Sequence, residues 1–142
     1  MRGESMQEVN IYITVEKTVI KSVKRGYAYL LECYINDKRY TRYGAGEDNL
    51  TLHQATLKAL AEATGRLNRE CWLHIYAEDV FVLSMIRTKL SLWAYEGFEK
   101  QIANKGLWKE LWKNIRYCKT DLIPGKHEHS DWLKNRDFID KH

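Results

Sequence analysis

The stretch Trp72-Leu73-His74-Ile75-Tyr76-Ala77-Glu78-Asp79-Val80-Phe81 constrains the fold most. A short run rich in apolar and aromatic residues reads as a strand over 72–76. It ends in two adjacent carboxylates, and apolar residues then recur at helical spacing through Val80, Phe81, Leu83 and Ile86. A strand that feeds a helix this directly implies a sheet with helices packed on it. Asp79 has the chemistry and position of an N-cap. Glu78 then falls at the carboxyl edge of the sheet, where open α/β sheets place their ligands. Each acid also has a plainer reading, as a solvated strand end and a structural cap, and Asp79 is the better cap.

Upstream, Val9, Ile11, Ile13 and Val15 alternate with Asn10, Tyr12 and Thr14, the period of a half-buried strand. A second strand is expected over residues 26–35. Asn36-Asp37 reads as a turn, and a third strand is expected over 38–43. These short connections favour an antiparallel meander. Gly44-Ala45-Gly46 breaks the pattern. A helix with Leu52, Ala55, Leu57, Leu60 and Ala63 inward follows to about residue 67, and residues 71–76 form the fourth strand. The segment 79–118 reads as helix in pieces, with breaks at Gly97 and Gly106. Asp121-Leu122-Ile123 is a short last strand, and residues 131–139 a closing helix. The order β-β-β-α-β-α-α-β-α implies a mixed sheet flanked by helices.

At 142 residues with 44% hydrophobic content, the chain is long enough for a real core and is expected to form one domain over 1–142. No apolar run approaches a membrane span. The first residues lack the apolar stretch of a secretory signal. Cys33, Cys71 and Cys118 are odd in number and widely spaced, which suits free thiols in a reducing, cytoplasmic setting. A net charge of +4 permits a polyanionic partner without demanding one.

Several segments in this order resemble the ribonuclease H family. Arg25-Gly26-Tyr27-Ala28-Tyr29-Leu30-Leu31 is similar to that family's glycine- and tyrosine-containing second strand. Tyr76-Ala77-Glu78-Asp79 is similar to the end of its fourth strand. Leu92-Trp93, Gly97-Phe98 and Asn104-Lys105-Gly106-Leu107-Trp108 follow its series of aromatic and glycine positions, the most specific part of the match. Glu128-His129-Ser130-Asp131 is similar to the start of its last helix. The resemblance implies a five-stranded mixed sheet, a three-strand antiparallel meander plus two parallel strands. It also implies metal-dependent hydrolysis of RNA in RNA–DNA hybrids, with magnesium or manganese held by clustered carboxylates.

Of the family's four carboxylate positions, the resemblance places two on acids here, Glu78 and Asp131. The other two fall at Thr14 and Leu52. Glu16 shares a strand face with Thr14 and is the expected substitute there. Glu47 or Asp48 takes the Leu52 position if a loop folds inward. His127 corresponds to the family histidine and is expected to move protons or assist product release. The site expected from the resemblance is therefore Glu78, Asp131, Glu16 and His127, with the first three holding metal. The plainer readings are a helix-dipole acid for Asp131 and a surface loop for His127-Glu128-His129. Trp93 and Trp108 read as core. Trp112 and Trp132 are less clearly inward. Tyr12, Tyr27 and Tyr34 either face a nucleic acid strand or simply pack. Lys105, Lys109 and Lys113 form a basic helix edge, either merely solvated or gripping a hybrid backbone. Three functions remain open: a divergent nuclease, a nucleic-acid-binding module with a decayed site, and a protein-interaction scaffold.

Overall fold

The computed structural model describes residues 6–16 and 19–134. The elements are β1 (Gln7–Val15), β2 (Val23–Ile35), β3 (Lys38–Leu50), α1 (Leu52–Thr64), β4 (Cys71–Ala77), α2 (Val80–Thr88), α3 (Leu90–Tyr95), α4 (Lys105–Ile115), β5 (Lys119–Pro124) and α5 (Ser130–Lys134). They form one five-stranded sheet in the order β3-β2-β1-β4-β5. β1, β2 and β3 pair antiparallel, while β1–β4 and β4–β5 pair parallel. This is the expected mixed sheet, except that three helices rather than two separate β4 from β5. Of the expected closing helix over 131–139, residues 135–139 lie outside the described residues.

Strand periodicity divides the side chains between two faces. Val9, Ile11 and Ile13, with Tyr27, Tyr29, Leu31, Leu73 and Ile75, face the main core beneath α1, α2 and α4. Leu57, Leu60, Leu83, Trp108 and Leu111 are the fully or almost fully buried helical contributions. Trp93 meets Trp108 edge-on at 5.4 Å, so both are core residues as expected. Opposite, Tyr12, Ala28 and Leu30 pack against Leu133 of α5, with Tyr43 and Tyr76 at the margin.

The third strand is twice as long as expected, because Gly44 and Gly46 belong to it. They pair with Tyr29 and Tyr27, and those two rings lie across the bare backbone of β3. A Cβ on Gly44 would stand 2.2 Å from the Tyr29 ring, and one on Gly46 2.3 Å from the Tyr27 hydroxyl. The glycines therefore make room for rings instead of ending the strand. The extension also puts Glu47 and Asp48 on β3, both exposed. The inward-folding loop that would have made them substitutes for Leu52 does not exist.

Helix starts follow side-chain chemistry. Thr51 caps α1 in a capping box with Gln54, and Leu52 is half-buried rather than fully inward. Asp79 caps α2 by accepting from the Val82 amide at 3.1 Å, as expected. The inward residues of α2 are Val82, Leu83 and Ile86, whereas Val80 and Phe81 are exposed. Gly97 breaks the helical run with φ +73°. Gly106 does not, since it lies in the first turn of α4.

Arg25 is the largest fully buried side chain. Its guanidinium donates to the carbonyls of Glu16, Val19, Lys21 and Leu50. The connection between β1 and β2 is thereby tied to the end of β3, and Leu52 N closes the junction by donating to Ile20 O at 3.0 Å.

Candidate active site

The carboxyl ends of β1 and β4 lie side by side. Their register pairs Tyr12 with Tyr76, and two further steps bring Thr14 level with Glu78. Glu78 is exposed, one residue beyond β4. β5 ends beside it, with Pro124 opposite Ala77. Gly125 then turns the chain with φ +106° and donates to Ala77 O at 3.0 Å. This turn carries His127 across the sheet edge onto β1.

There the His127 ring is fixed at both nitrogens. Nε2 lies 2.9 Å from Ile13 O and 3.2 Å from Thr14 Oγ1. A carbonyl oxygen only accepts, so Nε2 carries the proton. Nδ1 accepts from the His129 amide at 3.1 Å. Together these bonds select the neutral Nε2–H tautomer. Burial pushes the His127 pKa below its ordinary value and His129 reinforces the shift, while the bond to Ile13 O and the charges of Glu78 and Glu128 act against it. His127 N also donates to the buried Ser130 Oγ at 3.0 Å, which fixes the start of α5. Asp131 follows in the first turn of that helix and is exposed. The fold thus brings Glu78, His127 and the helix carrying Asp131 to one edge.

Glu16 is used differently. Its Oε1 accepts from Gly26 N at 3.0 Å, and its backbone exchanges bonds with Gly26 O and Arg25. It holds the β1–β2 connection closed. Among the described residues, no group of three or more His, Cys, Asp and Glu side chains is arranged to hold a metal ion. The residues present therefore do not make a preassembled two-metal centre. Glu78 and Asp131 remain as exposed carboxylates with hard oxygen donors.

Sequence reasoning missed three features. The first is a ring cluster on the α5 face. Tyr12 stacks on Tyr76 at 4.7 Å and meets His129 edge-on at 4.5 Å and His127 at 5.2 Å. Burial raises the Tyr12 pKa, and Glu32 and Glu128 raise it further, so this phenol stays protonated. Tyr27 also packs, donating to Glu62 at 2.5 Å, while Tyr34 is exposed.

The second is a polar row along the rest of that face. Glu32 accepts from Arg39 at 2.7 Å and from Asn10 at 3.0 Å. His74 sits between Glu8 at 2.7 Å and Asp121 at 3.1 Å. Trp72 Nε1 donates to the same Asp121 oxygen at 2.8 Å. Burial alone would raise the Glu32 pKa, but Arg39 and Asn10 hold it below the usual carboxylate range. The polar alternate residues of β1, β2 and β4 were the available signal for this row.

The third is the pairing of His53 Nδ1 with the buried Asp79 at 2.7 Å, under the Phe81 ring. On α4, Lys109 and Lys113 are exposed as expected, and Lys113 approaches Glu110 at 3.8 Å.

Comparison with known proteins agrees with this fold. The chain is 36% identical over 86 residues to ribonuclease HI of Helicobacter pylori strain 26695, covering 61% of this chain and 57% of that protein. It is 35% identical over 86 residues to ribonuclease H of Helicobacter acinonychis, covering 61% of this chain and 57% of the relative. In structure it superposes on LC9-RNase H1, described as a type 1 RNase H with the type 2 active-site motif. That match has a TM-score of 0.76 at 12% identity and covers 95% of this chain and 72% of that one. The chain has the fold of a ribonuclease H domain. The ribonuclease H fold is also found in the solution structure of the PFV RNase H domain, with TM-score 0.63, 15% identity, and 96% of this chain and 92% of that domain covered. No protein-family profile matches the chain. The chain spans under two thirds of the length of the curated relatives it matches. No helix among the described residues is long and apolar enough to cross a membrane.

Proposed function

We propose that this chain acts on RNA–DNA hybrids and hydrolyses their RNA strand with a divalent cation, magnesium or manganese. The observation that carries this reading is the sheet edge where Glu78 emerges beside the end of β1, with His127 bonded across it and α5 begun there. The sequence match to ribonuclease HI of Helicobacter supports it. Magnesium is commonly held by one or two carboxylates, with waters and substrate phosphate completing its shell. Glu78 and Asp131 are the residues that would hold it. Glu16 is a third candidate through the carboxylate oxygen not bonded to Gly26 N. A bound ion would supply an activated water and neutralise charge on the scissile phosphate.

The protein's own groups have narrower tasks. Glu78 and Asp131 supply negative charge at an exposed edge. His127 fixes the turn that leads into α5, and a proton-carrying role for it would first require release of Ile13 O or the His129 amide. The exposed Lys109 and Lys113 give a sequence-independent attraction for a phosphate backbone. An A-like hybrid is recognised through shape and 2′-hydroxyls.

A second reading, hybrid binding without cleavage, is favoured by Thr14 and Leu52 at two of the family's carboxylate positions. Purified protein incubated with a labelled hybrid duplex in magnesium, then in manganese, separates the two. The nuclease reading expects RNA cleavage that Glu78→Gln and Asp131→Asn each reduce at least a hundredfold, with thermal melting unchanged. Absence of cleavage in both metals removes it. Binding that weakens steeply with salt then supports the second reading.

A further inference from the structure

At the opposite end of the sheet from Glu78 lies a cavity of about 660 Å³. It begins at Gln7 and Val9, roughly 16 Å along β1 from Thr14 at ordinary strand rise. Here α1 has ended, and Val9, Leu31 and Cys71 of the sheet are still buried beneath the cavity. Its accessible apolar lining is half-buried Cys33 with exposed Ile35 and Tyr40. Arg42 projects from β3, and Arg66 and Arg69 project from the connection between α1 and β4.

The charges around this cavity are unbalanced. Among the described residues its only lining carboxylate is Glu32, which is engaged by Arg39, Asn10 and Tyr12. Arg66 is held in place by a 2.9 Å bond from Nε to Tyr29 Oη, with its guanidinium over the same ring. The guanidiniums of Arg42 and Arg69 are taken by no hydrogen bond or carboxylate among the described residues. Arg42, Arg66 and Arg69 line the same concavity, so an anion seated there can be shared among them. Guanidinium forks match phosphate oxygens in bidentate fashion. The volume exceeds what a bare phosphate needs and lies in the range of small-ligand sites. Exposed Ile35 and Tyr40 both line the cavity, where a flat ring finds an apolar surface.

We propose that this cavity binds a nucleoside phosphate, its phosphate on Arg42, Arg66 and Arg69 and its base against Tyr40 and Ile35. The site is separate from the Glu78 edge and needs no divalent cation. Its phosphate can belong to a free nucleotide or to the 5′ end of a nucleic acid strand, since both present the same group.

Calorimetric titration of the whole chain without divalent ions tests this. The probes are adenosine 5′-monophosphate, inorganic phosphate, and a short DNA strand carrying either a 5′-phosphate or a 5′-hydroxyl. One-to-one saturable binding is expected for the nucleotide, for the 5′-phosphorylated strand, or for both, and the pattern identifies the source. Inorganic phosphate should bind more weakly, and the 5′-hydroxyl strand should not saturate this site. Arg42→Ala combined with Arg69→Ala should weaken binding at least tenfold. Both residues are exposed, so the variant is expected to melt with the parent. Lys100→Ala, which removes an exposed cation outside this lining, should change binding less than twofold. The idea is overturned if neither phosphorylated probe saturates, or if the double variant binds as tightly as the parent. Because no metal is present and cleavage is not read, loss of the nuclease reading leaves this result intact.

Discussion

Replacing Arg25 with methionine tests how the proposed active edge is held together. Methionine fills a similar volume but donates nothing, so four carbonyl groups lose their partner. They will not suffer equally. Val19 and Lys21 are exposed, and their carbonyls recover hydrogen bonds from water. Leu50 is buried and Glu16 half-buried, so one or two acceptors remain dry. A bond from a charged donor contributes about 1.5–3 kcal/mol. Two such losses give a destabilisation of about 3–6 kcal/mol, which for a chain of this size lowers Tm by roughly 10–20 °C. Differential scanning calorimetry reads the fall. Amide exchange reads its location, because Leu52 N, bonded to Ile20 O, should lose protection before the β1–β4 ladder does. Arg25→Lys should fall between parent and methionine variant, since one ammonium cannot reach all four acceptors. A drop below about 3 °C for Arg25→Met, roughly 1 kcal/mol, would refute the claim that this guanidinium closes the connection.

Three further outcomes follow from contacts already described. Asp79→Ala removes the α2 cap and the partner of His53; a loss of about 2–4 kcal/mol in urea unfolding is expected, and His53→Ala in the same background should add less than it does alone. His127 is held neutral with its pKa below 6.5, so below that pH the unfolded chain takes up a proton that the folded chain resists. Its contribution is fully present above 6.5 and declines as pH falls toward the folded value, and His127→Gln should flatten the pH dependence of Tm in that window. Gly46→Ala forces a methyl into the Tyr27 ring and should cost about 1–3 kcal/mol; the double variant with Tyr27→Ala should show a smaller penalty for the alanine at 46.

The order of elements was legible because two periods dominate the chain. Val9, Ile11, Ile13 and Val15 mark a strand with one buried face, and Leu57, Leu60 and Ala63 mark a buried helical stripe. The full length of β3 was not legible, because glycine marks a turn in most contexts and only the rings of Tyr27 and Tyr29 reverse that meaning. The meeting of Glu78 and His127 at one edge was partly legible through family resemblance. What sequence could not give was the occupation of side chains by their neighbours. Glu16 spends an oxygen on Gly26 N, and His127 spends both nitrogens on backbone groups. The burial of Arg25 was not legible either, since no local pattern distinguishes a guanidinium that carbonyls will enclose from one left in water.

The glycines of β3 have a consequence for inheritance. Positions 44 and 29, and likewise 46 and 27, divide a fixed width between them: one member of each pair contributes a ring, the other contributes vacancy. Neither half can drift alone. A descendant that acquires a side chain at 44 must first, or simultaneously, shrink residue 29, so across diverging relatives each couple should change as a unit while its combined bulk stays constant.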